Sequence, residues 1–257
     1  MIKVVNKRIR IEVSKLFHYA HFIADCLFPE IIHDIYNYNN VCRPKTLNQT
    51  IGNFSKIYED VMKNKNNEII GSEFNNLNGD IMLLGRKEKY IKNINNINKF
   101  RNFIFARYII NPLTYYESYP EIILIKRGRV DLVDDAEIKM KMPNRLKRNG
   151  LERREITEIN QIEAHLLNKY QGRFKSFYLE NMPFQQQVKI FNNAKMIVLA
   201  HGAALINMFF CKEGTTIIEV TCNKNWPFFD RISNKLNLNH IKVKNELQKI
   251  MDIIHAQ

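Results

Sequence analysis

The sequence contains no apolar run approaching the ~20 residues that cross a bilayer. Its longest candidate, MIVLAHGAALINMFF, is interrupted by His201, Gly202 and Asn207. The opening MIKVVNKRIRIEV alternates like a strand and lacks the apolar centre of a signal peptide. Cysteine is scarce: Cys26, Cys42, Cys211 and Cys222 form neither a C-x-x-C pair nor a zinc spacing. Free thiols in a reducing compartment, and so a cytoplasmic protein, are the expectation. No G-x-G-x-x-G and no Walker lysine pattern occurs, which disfavours a dinucleotide or a P-loop-bound triphosphate. No internal repeat is visible.

Acidic residues are also few. Lys and Arg total 39 against 26 Asp and Glu, a net charge of +13. Such a balance raises nucleic acid, an anionic surface or a phosphorylated small molecule as partner. The distribution narrows that choice. Residues 139–154 hold 7 basic groups against the single acid Glu152, which is the whole basic excess of the second half. This stretch carries the breakers Pro143 and Asn149-Gly150 and reads as a loop. It suits a grip on phosphate, and equally a solvated surface loop. No aromatic residue interleaves with it and no helix-turn-helix, zinc or RNA-recognition signature appears, so a nucleic-acid-binding protein is the weaker alternative.

With 257 residues, 45% of them hydrophobic, the chain is long enough for one large or two small domains. The first half reads as a strand over 1–13, a helix over about 17–38, a short apolar run at 81–84 and a second long helix ending near Ile110. Asn111-Pro112 is a boundary, because the residue before proline avoids helical geometry. Beyond it strands and helices alternate: EIILIKR, then the helix TEINQIEAHLLNKY; RFKSFYLE, then PFQQQVKIFNNA; MIVLA, then GAALINMFF; TTIIEV, a helix at 228–236, a strand at 240–243 and a last helix. That alternation predicts an α/β fold with a parallel, doubly wound sheet.

Open parallel sheets bind ligands at the carboxyl ends of their strands. The junction Ala200-His201-Gly202-Ala203-Ala204 is the best such place: a polar histidine at a strand tip, followed by small residues that admit a ligand close to the backbone. A tight packing turn would look similar.

FYLENMPFQQQVKIFNNAKMIVLAHGAALINMFFCKEGTTIIEVTCN, with Gln187, Ala194, His201-Gly202-Ala203, Leu205, Asn207 and Glu219 at its marked positions, resembles the signature of the family 61 glycosyltransferases. Upstream, His21-Phe-Ile-Ala-Asp25 followed by Pro29 is similar to that family's N-terminal H-x-x-x-D motif, and ILIKRGR to its strand ending in a basic residue. The resemblance implies a glycosyltransferase B type fold, two Rossmann-like halves with a cleft between them, the first half small here. It divides the chain into an acceptor-side domain over 1–112, a nucleotide-sugar-binding domain over 113–244, and a closing helix over 245–257 that packs back on the first domain. It implies inverting transfer of a sugar, of the xylose or N-acetylglucosamine class, from a UDP-sugar to a glycan or glycoprotein hydroxyl.

Such a transfer needs a base for the acceptor hydroxyl and positive charge on the departing diphosphate. Asp25 is the expected base, with His21 four residues earlier on the same helix face. The donor-side candidates are Arg127 and Arg129, or alternatively Arg153 and Arg154, together with His201, Gly202, Ala203, Ala204 and Asn207. Glu219 would accept ribose hydroxyls; its plainer reading is a strand-end ion pair. There is no D-x-D to hold a divalent ion against a diphosphate, so neither metal nor cofactor is expected beyond the UDP-sugar itself. A non-catalytic nucleotide-sugar-binding protein is the remaining alternative, and the presence of Asp25 argues against it.

Overall fold

A computed structural model describes residues 9–10, 19–35, 41–42, 54–62, 82–83, 91–127, 155–180, 182–221 and 227–257. The basic segment 139–154, with Arg129, Arg153, Arg154 and Asp134-Asp135, lies outside them. The chain divides into two compact units, Met1–Ile109 and Ile110–Gln257.

In the first unit β1 (Ile9–Arg10) pairs in parallel with β2 (Val41–Cys42) and β3 (Met82–Leu83). Residues 19–35 form one helical stretch, α1. It is α-helical at Tyr19–His21 and Phe28–Ile35 and widens to a π-helix at Phe22–Leu27. Phe22, Ile23, Ala24, Leu27, Phe28 and Ile31 on it are fully buried. Phe28 meets Phe100 of α3 (Ile94–Arg107) at 4.7 Å between ring centroids, and Phe22 stacks on Phe54 at the start of α2 (Phe54–Met62). Asp60 of α2 then ties the end of α3: Tyr108 Oη donates to its carboxylate at 2.7 Å and Arg107 Nε to its carbonyl at 2.8 Å.

The second unit is built on a five-stranded, wholly parallel sheet in the order β5-β4-β6-β7-β8. The strands are β4 (Ile122–Lys126), β5 (Phe174–Tyr178), β6 (Met196–Ala200), β7 (Thr216–Thr221) and β8 (Asn239–Lys244). Central strands buried on both faces read as unbroken β-branched and aliphatic runs, and IILI and MIVL are of that kind. Side chains alternate between faces. Ile122, Leu124, Met196, Val198, Ile218, Val220 and Val243 turn to one side, where they form a core with Ile162 and Leu166 of α4 (Ile159–Tyr170) and Ile250 and Ile254 of α7 (Leu247–His255). Ile123, Ile125, Ile197, Leu199 and Ile217, also buried, turn to the other. Their side is covered by α5 (Phe184–Asn193), a 3-10 helix (Ala203–Phe210) and α6 (Pro227–Lys235).

In the closing helix α7, Ile250 and Ile254 are fully buried in the core of the sheet of their own unit, and Lys169 Nζ of α4 donates to the carbonyl of Ile254 at 2.7 Å, binding a cation to the helix's negative end.

The strand order carries a consequence for function. From β4 the chain steps to β5 on one side, then returns to place β6 on the other side of β4 and continues outward through β7 and β8. The reversal point lies between β4 and β6. At such a switch the flanking connections leave on opposite faces and open a crevice at the strands' carboxyl ends.

The central packing is directly testable. Ile218 lies on β7 with no exposed surface. Ile218→Ala is expected to lower unfolding stability by about 2–5 kcal/mol, through lost transfer energy plus the cavity left behind. Urea unfolding followed by far-UV circular dichroism would show this as a lowered midpoint.

Candidate functional site

Arg127 follows the last residue of β4 and His201 the last residue of β6. Ile125 is paired with Leu199, so these two are the next same-face residues on neighbouring strands. They stand at the mouth of the crevice. Among the described residues, the three atoms nearest to a Cβ placed on Gly202 all belong to the Arg127 guanidinium, at 3.7–3.8 Å, which is ordinary contact. The φ of Gly202 is 167°, extended backbone that any residue adopts. Neither conformation nor a protein neighbour therefore requires glycine here. What its missing side chain provides is a close approach of this buried backbone to a guanidinium. The 3-10 helix begins at once, with the half-buried Ala203 and Ala204 as its first residues. Lys126, next to Arg127, is committed elsewhere: its Nζ holds both carboxylate oxygens of Glu163 on α4, at 3.0 and 2.8 Å.

Two residues expected at the donor are found in other work. Asn207 is fully buried within the 3-10 helix and its amide donates to Gln187 Oε1 at 3.0 Å. Gln187 in turn donates to the carbonyls of Leu179 and Met182, at 3.2 and 2.9 Å. The pair fastens the turn after β5 to the helical layer. Glu219 is 1% exposed, and its carboxylate presents no open face to a ribose. Oε1 lies 2.5 Å from His201 Nδ1 and Oε2 lies 2.7 Å from His240 Nε2. An ionised carboxylate only accepts, so each of these ring nitrogens carries a proton.

The chain of contacts continues beneath α6. His240 Nδ1 is 3.4 Å from Asp230 Oδ1 and 3.3 Å from Ser233 Oγ, and Lys242 Nζ donates to Asp230 Oδ2 at 2.6 Å. Phe229 of α6 closes over His201, ring centroids 5.9 Å apart and nearly perpendicular. His240, Asp230 and Phe229 escaped the sequence reading. The only signal was His240-x-Lys242, two polar residues on one face of a strand in a sheet covered on both sides.

In the first unit His21 and Asp25 do meet: Nδ1 to Oδ2 is 2.6 Å, with the side chains 28% and 16% exposed. Asp25 falls within the π-helical turn, a widened geometry frequent at functional positions. Among the described residues no group of His, Cys, Asp and Glu is arranged to hold a metal ion, and no helix is long and apolar enough to cross a membrane.

The family model for glycosyltransferase 61 matches residues 19–218, from the start of α1 into β7. The chain belongs to the glycosyltransferase 61 family. No curated protein matches it. Membership carries glycosyltransferase activity, with a sugar donor and a glycan acceptor. The match takes in His21, Asp25, Arg127 and the His201-Gly202-Ala203 junction, and it ends one residue before Glu219.

The Glu219 cluster makes an acid-stability prediction. Burial pushes its carboxyl upward, but the hydrogen bonds and charge of His201 and His240 outweigh burial and bring its pKa down to about 2, from an ordinary 4.5. A carboxylate depressed in the folded state stabilises it fully above the ordinary value, and that contribution is lost as pH falls from 4.5 toward about 2. In wild-type glycosyltransferase the thermal midpoint is therefore expected to fall steeply through that window. Glu219→Gln is expected to be less stable at pH 7 and to lose less stability between pH 4.5 and 2, as scanning fluorimetry across pH would show.

Proposed function

We propose that this glycosyltransferase moves a sugar of the xylose or N-acetylglucosamine class from a UDP-sugar to a glycan hydroxyl, with inversion and without a required metal ion. The observation that carries the reading is the Arg127 guanidinium close beside the backbone of Gly202, at the strand switch of a parallel sheet. A diphosphate needs cationic, forked donors and main-chain N–H groups, and this corner has a guanidinium and the start of a 3-10 helix at the half-buried Ala203 and Ala204. Arg127 would take the charge that develops on the departing phosphate, and His201 would contribute a ring nitrogen from the next strand. Arg129, Arg153 and Arg154 are further candidates for the same charge. The sequence has no D-x-D, and a guanidinium at the diphosphate does the neutralising that an ion does elsewhere.

Asp25 is the proposed base. Inversion in a single displacement calls for one carboxylate, opposite the leaving group, to accept the acceptor's proton. The hydrogen bond from His21 Nδ1 fixes Oδ2 of that carboxylate. The two units would serve acceptor and donor respectively, in a glycosyltransferase B arrangement. The thiol chemistry of the sequence favours the cytoplasm as its place of action.

Two variants separate these roles. Asp25→Ala is expected to abolish sugar transfer while UDP affinity stays within a few fold. Arg127→Ala is expected to weaken UDP binding about 10- to 100-fold, the worth of a charge-assisted hydrogen bond to phosphate. Isothermal titration with UDP and a radiolabelled transfer assay measure the two. Wild-type turnover in Asp25→Ala rejects the base, and unchanged UDP affinity in Arg127→Ala rejects the donor corner.

A further inference from the structure

The buried chain His201–Glu219–His240 crosses three neighbouring strands, β6, β7 and β8, on the face covered by α6. A carboxylate at 1% exposure is costly to desolvate, and well-packed apolar residues often replace buried ion pairs without loss of stability. Stability alone is thus a weak reason for the arrangement. Its geometry offers a better one. Of its two ends, His201 stands at the carboxyl tip of β6 beside Arg127's neighbour Gly202, while His240, its side chain 4% exposed, is enclosed.

Each link in the chain is directional. The outer ring nitrogen of His240 faces Ser233 and Asp230 of α6, and Asp230 is itself held by Lys242. With that side fixed, His240 Nε2–H pins Glu219 Oε2. Once Oε2 is pinned, Oε1 has one orientation left, and it receives His201 Nδ1–H. A ring held by Nδ1 presents Nε2 on its opposite edge. With Nδ1–H committed to Glu219, Nε2 is the only ring position left to take a proton, and a proton there is what an anionic diphosphate accepts.

We propose that His240 is a positioning residue for His201, acting through Glu219, so that His201 Nε2 is held toward the donor's diphosphate. The proposal rests on the donor reading above. None of Glu219, Asp230 and His240 lies within the stretch that the family match covers.

The test pairs two amides of different length. In His240→Gln the amide reaches the place of Nε2 and can still donate to Glu219 Oε2. In His240→Asn it stops at the place of Nδ1 and leaves that buried oxygen unpaired. With 15N-labelled histidine, NMR of the wild-type protein is expected to show His201 protonated at Nδ1, and added UDP to shift Nε2. His240→Gln should keep that tautomer and a UDP dissociation constant within about threefold. His240→Asn should lose the single tautomer and bind UDP about tenfold or more weakly, the cost of an unpaired buried acceptor, with donor KM rising more than kcat falls. A proton on Nε2 alone in wild-type His201 overturns the proposal without any variant. So does an unchanged tautomer with unchanged UDP affinity in His240→Asn. If wild-type protein binds no UDP while His240→Asn still releases the His201 tautomer, the donor reading fails and the positioning stands.

Discussion

A parallel sheet cannot reverse its strand order without opening a gap. The connections that follow β4 and β6 must leave on opposite faces, because the chain moves outward in one direction and then back in the other. Between their starting points lie the ends of β4 and β6. The rest of this corner depends on that constraint: Arg127 and His201 are neighbours because they follow paired strands, and Gly202 brings its backbone close to the guanidinium.

Holding this corner still is the work of the layer beneath it. Gln187 and Asn207 fasten the turn after β5, and Glu219, clasped by two imidazoles, fixes the ring at the tip of β6. Both groups are buried and polar, and both are satisfied on each side, the condition under which such groups rigidify a fold. The contrast with Lys126 is instructive. It stands one residue from Arg127, yet its ammonium is held by Glu163 of α4.

Much of the second unit was legible in the sequence. The strands at IILIK, FKSFY, MIVLA and TIIEVT are apolar or alternating runs closed by turn residues, and the intervening helices carry their apolar residues at helical spacing. Strand order was not legible, because it depends on which strands pair and not on any local pattern. Nor were the partners of Asn207 and Glu219, which come from Gln187, 20 residues away, and His240, 21 residues away. Without a register between β7 and β8, nothing linked Glu219 to His240. His21 and Asp25, by contrast, are four residues apart on one helix, and a local spacing was enough to bring them together.

The central claim is that the donor's diphosphate sits at the ends of β4 and β6. Backbone hydrogen exchange, followed by mass spectrometry with and without saturating UDP, measures this across the whole chain. Protection on binding is expected to concentrate at 201–205 and around 127, with little change at the opposite end of the sheet, where 194–196 and 214–216 begin their strands. Protection confined to that opposite end, or to the first unit alone, would contradict the account.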